Sequence, residues 1–186
     1  MIDCLVFLLE EPSAKAMLQG VVPRLVDARL AVHYMTFDGK QDLERNLERK
    51  IRLWQRPNTA FVVMRDQDSG DCRAVKRRLK DICSRTGKEP ILVRIACHEL
   101  ESFYLGDLDA VGRAYGISVP AQQSRKYRHP DDLGNAAEEM RKLTRHVYQK
   151  IDGSRRIGPL LKLDGSNASV SFNALCDGIR RLVETP

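Results

Sequence analysis

Four short apolar runs divide the first hundred positions, each closed by polar residues. The first, Ile2 to Leu9, contains Ile2, Cys4, Leu5, Val6, Phe7, Leu8 and Leu9. Nearly unbroken apolar character over that length predicts a strand buried on both faces of a parallel sheet. Leu30 to Phe37, the run from Phe61 to Met64, and Ile91 to Ala96 predict three more strands. Between the runs, apolar positions recur at helical spacing. Met17, Leu18, Val21, Val22 and Leu25 mark one helix, which Pro23 should kink or divide. Leu43, Leu47, Ile51 and Trp54 share a face between about Gln41 and Gln55, and Val75, Leu79 and Ile82 do so between Asp71 and Arg85. This alternation predicts an α/β sheet with right-handed crossovers.

After Ala96 the alternation fades. Cys97 to Leu105 reads as a helix start, and Asp107 to Tyr115 as a short helix with Asp107 as its cap. Gly116 to Pro130 reads as a loop carrying Arg125, Lys126, Arg128 and His129. Leu133, Ala137, Met140, Leu143 or Thr144, Val147 and Ile151 form one stripe, which predicts a continuous helix from Asp131 to Ile151. Asp152 to Arg156 then reads as a basic loop, and Phe172 to Val183 as a closing helix with Leu175, Ile179 and Leu182 inward. The expected organisation is an α/β core over residues 1–110 and a basic, mainly helical extension over 111–186, packed together as one compact domain.

Composition narrows the class. The 186 residues are 42% hydrophobic and 30% charged, and no window approaches the length of a membrane span. The N-terminus lacks the pattern of a signal peptide. Five scattered cysteines (Cys4, Cys72, Cys83, Cys97, Cys176) include no Cys-x-x-Cys pair. That argues against a zinc site or a disulfide framework and suggests a reducing cytoplasm. The formal charge of +6 is uneven: 18 Lys and Arg against 17 Asp and Glu over residues 1–110, 13 against 8 beyond. A basic second part fits a polyanionic partner such as nucleic acid.

The candidate chemistry lies where the apolar runs stop. Ligands of open α/β sheets bind beyond the carboxyl ends of the strands. Glu10 follows the first run, Asp66 and Asp68 the third, and Glu99 and Glu101 the fourth. Side chains two apart on an extended chain point the same way, so Asp66 and Asp68 are expected to aim at a common point. If the sheet order brings these strands together, the acids suffice for one or two Mg²⁺ ions. The plainer alternatives are turn chemistry for the aspartates, a Lys or Arg partner or a helix cap for Glu10, and Arg94 as partner of Glu99 or Glu101. Asp71 is expected to cap the following helix, and Lys76, Arg77, Arg78 and Lys80 to form a solvated face. His33 is expected to be structural and His98 to stand behind the site. No Ser-His-Asp arrangement or Walker-type loop is present.

Several segments resemble one family. Leu9-Glu10-Glu11-Pro12-Ser13 resembles the first acidic motif of the TOPRIM domain, and Val63-Met64-Arg65-Asp66-Gln67-Asp68 resembles its Asp-x-Asp motif. Cys97 to Asp107 is similar to the Glu-x-Glu-x-aromatic-aromatic-Leu segment of an uncharacterised bacterial TOPRIM-like family related to RloB and to overcoming-lysogenization-defect (OLD) nucleases. Lys126 to Leu133 and Ser169 to Phe172 also resemble that family. The resemblance implies a TOPRIM-like, Rossmann-like, mostly parallel four-stranded sheet flanked by helices. It implies Mg²⁺- or Mn²⁺-dependent phosphodiester chemistry on DNA or RNA, with Glu10, Asp66, Asp68 and Glu101 catalytic and Glu99 a further possible ligand. Lys126, Arg128, His129, Arg155 and Arg156 would hold the nucleic-acid backbone. It further implies a separate SMC/ABC-type ATPase partner in anti-phage defence. A non-catalytic partner of such an ATPase, or a nucleotide-binding protein, are the alternatives. The chain departs from the family at Glu11, where glycine is usual, and at Ala14, near which members often carry an acid.

Overall fold

A computed structural model describes residues 1–184. Strands β1 (Cys4–Leu9), β2 (Ala31–Thr36), β3 (Thr59–Asp66) and β4 (Ile91–Ala96) form a four-stranded sheet in the order β2-β1-β3-β4. All three pairings are parallel. The central strands β1 and β3 are buried along their whole length, whereas the outer two are only partly covered. This is why β1 and β3 carry the densest apolar runs.

Alternation along β1 divides the core into two layers. Leu5, Phe7 and Leu9 face one side with Ala60, Val62 and Met64 of β3. Cys4, Val6 and Leu8 face the other with Phe61 and Val63. Helix α1 (Pro12–Val21) packs on the first side, while α2 (Lys40–Arg52) and α3 (Cys72–Ser84) pack on the second. With right-handed crossovers, this places the reversal of winding between β1 and β3, where a crevice opens at the carboxyl ends. Pro23 does what its ring requires: α1 stops at Val21, and a 3-10 turn spans Val22–Arg24.

The remaining helices cover the α1 side. They are α4 (Ser102–Leu105), α5 (Leu108–Tyr115), α6 (Ala136–Leu143), α7 (Lys150–Ile157) and α8 (Val170–Glu184). Helix α7 lies along α1, and α8 lies against β4. No helix of the described residues is long and apolar enough to cross a membrane.

Two expectations fail in this region. The continuous helix over Asp131–Ile151 is instead a 3-10 turn (Pro130–Asp132), α6, a chain reversal and α7. Asp131 is drawn away by α8, its carboxylate accepting from Ser169 Oγ and from the Ser171 amide at 2.7 Å. Thr144 Oγ1 bonds back to Met140 O at 2.8 Å and accepts from the Tyr148 amide at 3.0 Å. Arg145 and His146 then adopt positive φ of 52° and 67° and reverse the chain. The inward residue becomes Tyr148, 2% exposed, while Val147 and Ile151 of the expected stripe are 60% and 45% exposed. The second failure follows from the first. Asp152 to Arg156 is not a loop but the body of α7, and at Gly153 a Cβ would collide with the Tyr148 ring.

Candidate active site

The acids at the sheet edge are sorted by the same alternation that sorts the core. Arg65 and Glu10 lie in step with the α2–α3 layer, and Asp66 and Glu11 in step with the α1–α7 layer. Glu11 is still extended, with φ −142° and ψ 158°, so the alternation persists up to the Pro12 that starts α1. A slip of one residue in β1 would exchange Glu10 and Glu11 and bring Phe7 to the wrong layer. Burial of side chains such as Phe7 and Leu9, each contributing about 1.5–3 kcal/mol, holds the register.

On the α2–α3 side the charges are matched. The guanidinium of Arg65, only 5% exposed, meets Glu44 Oε1 at 3.0 Å, Asp68 Oδ2 at 3.0 Å and Glu10 Oε2 at 3.7 Å. Lys40 Nζ lies 2.9 Å from the same Asp68 oxygen. Asp68 itself has a left-handed φ of 57°, which turns it out of strand alternation. Glu10 Oε2 also accepts from the Asp66 amide at 3.0 Å. Burial raises the Glu10 carboxyl above its ordinary value, against the pull of that amide and of Arg65.

On the α1–α7 side they are not matched. Asp66 is 9% exposed, and its carboxyl is pushed well above the usual range, first by burial and then by Glu11, Glu101 and Glu10. Glu101 is fully buried; Oε1 accepts from Tyr148 Oη at 2.8 Å, and among the described residues Oε2 has no hydrogen-bond partner. Burial raises its carboxyl too, opposed by Lys150 and Tyr148. Lys150, the first residue of α7, places Nζ 3.4 Å from Glu11 Oε2. Burial pulls its ammonium down, but Glu101, Glu11 and Asp66 together hold it above its ordinary value. The other Glu11 oxygen accepts from Ser13 Oγ.

Glu99 sits apart from this group, its Oε2 accepting from the Ala137 amide at 2.8 Å in the first turn of α6. Arg94 contacts neither Glu99 nor Glu101; it donates to Ala174 O and Val93 O. Asp71 and Asp107 are helix caps, accepting from Ala74 and Ala110 amides at 2.7 and 3.2 Å. His98 has φ of 57° beside the Asp68 turn, and His33 packs edge-on against Trp54. Among the described residues no group of three or more Asp, Glu, His or Cys side chains is arranged to hold a metal ion.

The basic residues expected to hold nucleic acid are mostly engaged within the chain. Lys126 pairs with the buried Glu139 and lies over the Tyr127 ring at 5.6 Å. Arg128 donates to Gln123 O at 3.2 Å, and Arg156 pairs with Asp152 at 2.7 Å. His129 and Arg155 are exposed.

Sequence reasoning missed Lys150 and Tyr148, and marked Glu11 only as a departure from the family pattern. One signal was available for Lys150. A lysine opening a helix opposes the helix dipole, so it needs a nearby anion to be comfortable. That signal is legible only once the helix start is known, and the expected long helix hid it.

Comparison with known proteins bears on the fold. A family model described as "Domain of unknown function (DUF4276)" matches residues 9–180. None of the curated proteins compared with the chain matches it. Among solved structures, the C-terminal region of the Burkholderia pseudomallei OLD protein is similar, with a TM-score of 0.58 and 16% identity over 98% of this chain and 99% of that one. The C-terminal region of the Xanthomonas campestris pv. campestris OLD protein gives a TM-score of 0.49 and 13% identity over 95% and 94%. The TOPRIM-like sheet implied by the motif resemblance is therefore the fold adopted.

Proposed function

Starting from a chain that belongs to the DUF4276 family, a domain of unknown function, we propose that it is a divalent-cation-dependent phosphodiesterase acting on nucleic acid, with Asp66, Glu101 and Glu11 at the centre of its site. The observation that carries this reading is the buried, unpartnered Oε2 of Glu101 beside the protonation-prone Asp66. A buried carboxylate oxygen without a donor costs about 1–3 kcal/mol, and a cation would satisfy it. The donors are all carboxylate oxygens, which suit Mg²⁺ or Mn²⁺ over zinc or copper. Glu10 and Asp68, engaged by Arg65 on the other face of the sheet, and Glu99, on the Ala137 amide, are outer candidates that would have to leave those partners to reach a cation. When bound, the cation would lower the pKa of a water and stabilise charge on the phosphoryl group.

The chain's own contributions follow from position. Tyr148 orients Glu101 through its hydroxyl, and Glu10, on the Asp66 amide, fixes the end of β3. Lys150 is placed to offset charge on a non-bridging phosphate oxygen or on the leaving oxygen. Lys126, Arg128, His129, Arg155 and Arg156 remain candidates for more distant backbone contacts, best supported for the exposed Arg155 and His129. The family resemblance extends the proposal to anti-phage defence beside a separately encoded SMC/ABC-type ATPase.

The test is Mg²⁺-dependent cleavage of labelled DNA and RNA by the native chain and by D66N and E101Q. Each variant should lose on the order of 10²–10³-fold in rate and should weaken Mn²⁺ binding in calorimetry. Unchanged cleavage by both would dismiss the site. One observation favours a second reading, a non-catalytic partner: Asp68 and Glu11 already sit in ion pairs with Lys40, Arg65 and Lys150. That reading requires no Mn²⁺ binding by the native chain, together with its retention on a co-expressed ATPase.

A further inference from the structure

A second charged surface lies along the open edge of the sheet. Strand β4 is the end strand, with α3 on one side of it and α8 on the other. On α3, Arg73, Lys76, Arg77 and Lys80 are spaced by three and four residues, so they form one stripe. None of the four forms an ion pair within the described residues, unlike Arg78 on another face of the helix, which meets Glu44 at 2.8 Å. Like charges at these spacings destabilise a helix by roughly 0.2–0.5 kcal/mol per pair. The stripe is maintained against that cost.

Arg94 of β4 extends the stripe across the edge. It is half-buried, and among the described residues its guanidinium donates to two neutral acceptors, Ala174 O at 3.0 Å and Val93 O at 3.1 Å. The contact requires Gly178 of α8, where a Cβ would come within 2.5 Å of Arg94 Nη2. Lys76 is itself partly buried, with Arg94 and Lys80 as its charged neighbours, and Arg181 adjoins Arg94. The fold therefore holds several cations together, partly desolvated, and among the described residues neither Lys76 nor Arg94 forms an ion pair. The stripe also has a direction: α3 begins at Cys72, six residues after Asp66, so it leads away from the acidic edge. From Arg73 to Lys80 it runs about 10 Å, enough to face roughly three successive phosphates of one strand.

We propose that Arg73, Lys76, Arg77, Lys80 and Arg94 form the track that carries a nucleic-acid backbone from the acidic edge along the open side of the sheet. The identity of the polyanion rests on the function proposed above. The competing explanation is that these cations only prevent β4 from pairing edge to edge with another chain.

The experiment uses fluorescein-labelled 20-nucleotide DNA and RNA, single-stranded and duplex. Binding is read by anisotropy in EDTA across a KCl series, and cleavage of the same probes is read after adding Mg²⁺. K76E/K80E should raise Kd at least tenfold and make the salt dependence shallower by roughly 1.5 in log–log slope. K76Q/K80Q should give an intermediate effect, and K50E on α2 should stay within twofold of the native chain. Native-like affinity and slope in K76E/K80E, or no binding by the native chain, overturns the track. In the first case, self-association of K76E/K80E on gel filtration would identify edge protection as the role. Cleavage that persists without dependence on these lysines leaves the catalytic reading standing and removes the track. Lysine-dependent binding without Mg²⁺-dependent cleavage keeps the track and removes the catalytic reading.

Discussion

The two sides of the sheet's carboxyl edge carry similar acids in opposite electrostatic conditions. Toward α2 and α3, Glu10, Glu44 and Asp68 surround a buried guanidinium, and Lys40 adds a second cation. Toward α1 and α7, Asp66, Glu11 and Glu101 share the ammonium of Lys150, and among the described residues Glu101 keeps one oxygen without a donor. Both sides are made of residues adjacent in sequence, Glu10 beside Glu11 and Arg65 beside Asp66. The difference arises because a strand sends neighbours to opposite faces. One face is a closed ion-pair network that supports the backbone. On the other, three buried or partly buried acids face one ammonium.

Three changes would test this contrast. The largest effect is expected from R65M, which leaves Glu10, Glu44 and Asp68 without their common partner. Breaking a buried charge network from one side costs about 3–5 kcal/mol, readable as a shift in the urea midpoint. Adding E44Q to R65M should recover part of that loss; if R65M costs under 1 kcal/mol, the matched side is not a network. Y148F is expected to cost less, about 1–3 kcal/mol, because it removes the Tyr148 hydroxyl that donates to Glu101. Added Mn²⁺ should recover more stability in Y148F than in the native chain. An identical Mn²⁺ response in the two proteins would separate Tyr148 from the site.

The smallest effect is a pH dependence. The Asp66 carboxyl lies well above its ordinary 3.8, chiefly through burial and then through Glu11, Glu101 and Glu10. In metal-free protein, the folded state keeps a proton that the unfolded chain releases near pH 3.8. This group's stabilising share is therefore fully present below 3.8 and lost as pH rises through the higher folded value. D66N cannot lose it. Its Tm should match the native value in acid and exceed it by about 2–4 °C at higher pH, the shift of a change near 1 kcal/mol in a chain this size. A constant Tm difference across the series would mean that Asp66 is not electrostatically strained.

Much of the fold was legible in advance because it follows from local periodicity. The apolar runs located β1 to β4, Pro23 located the end of α1, and Asp71 and Asp107 announced their helices. The failures lie where distant contacts overrule periodicity. The stripe through Val147 and Ile151 is a good helical pattern, yet Asp131 is held by Ser169 and Ser171, and Thr144 by Tyr148, so the chain turns. That turn delivers Lys150 and Tyr148 to acids more than 45 residues away in sequence. No spacing rule reaches so far.

By itself, then, the sequence determined which strands would be buried and which acids would stand at their ends, since both follow from residue type and position on an extended chain. Only the tertiary structure decided how those acids are divided. Strand order placed β1 beside β3, alternation split Glu10 from Glu11 and Arg65 from Asp66, and the reversal before α7 supplied a single ammonium to the side left without a guanidinium. The reason is physical: burial of a carboxylate is local to its strand, but its compensating charge comes from whichever element packs against it.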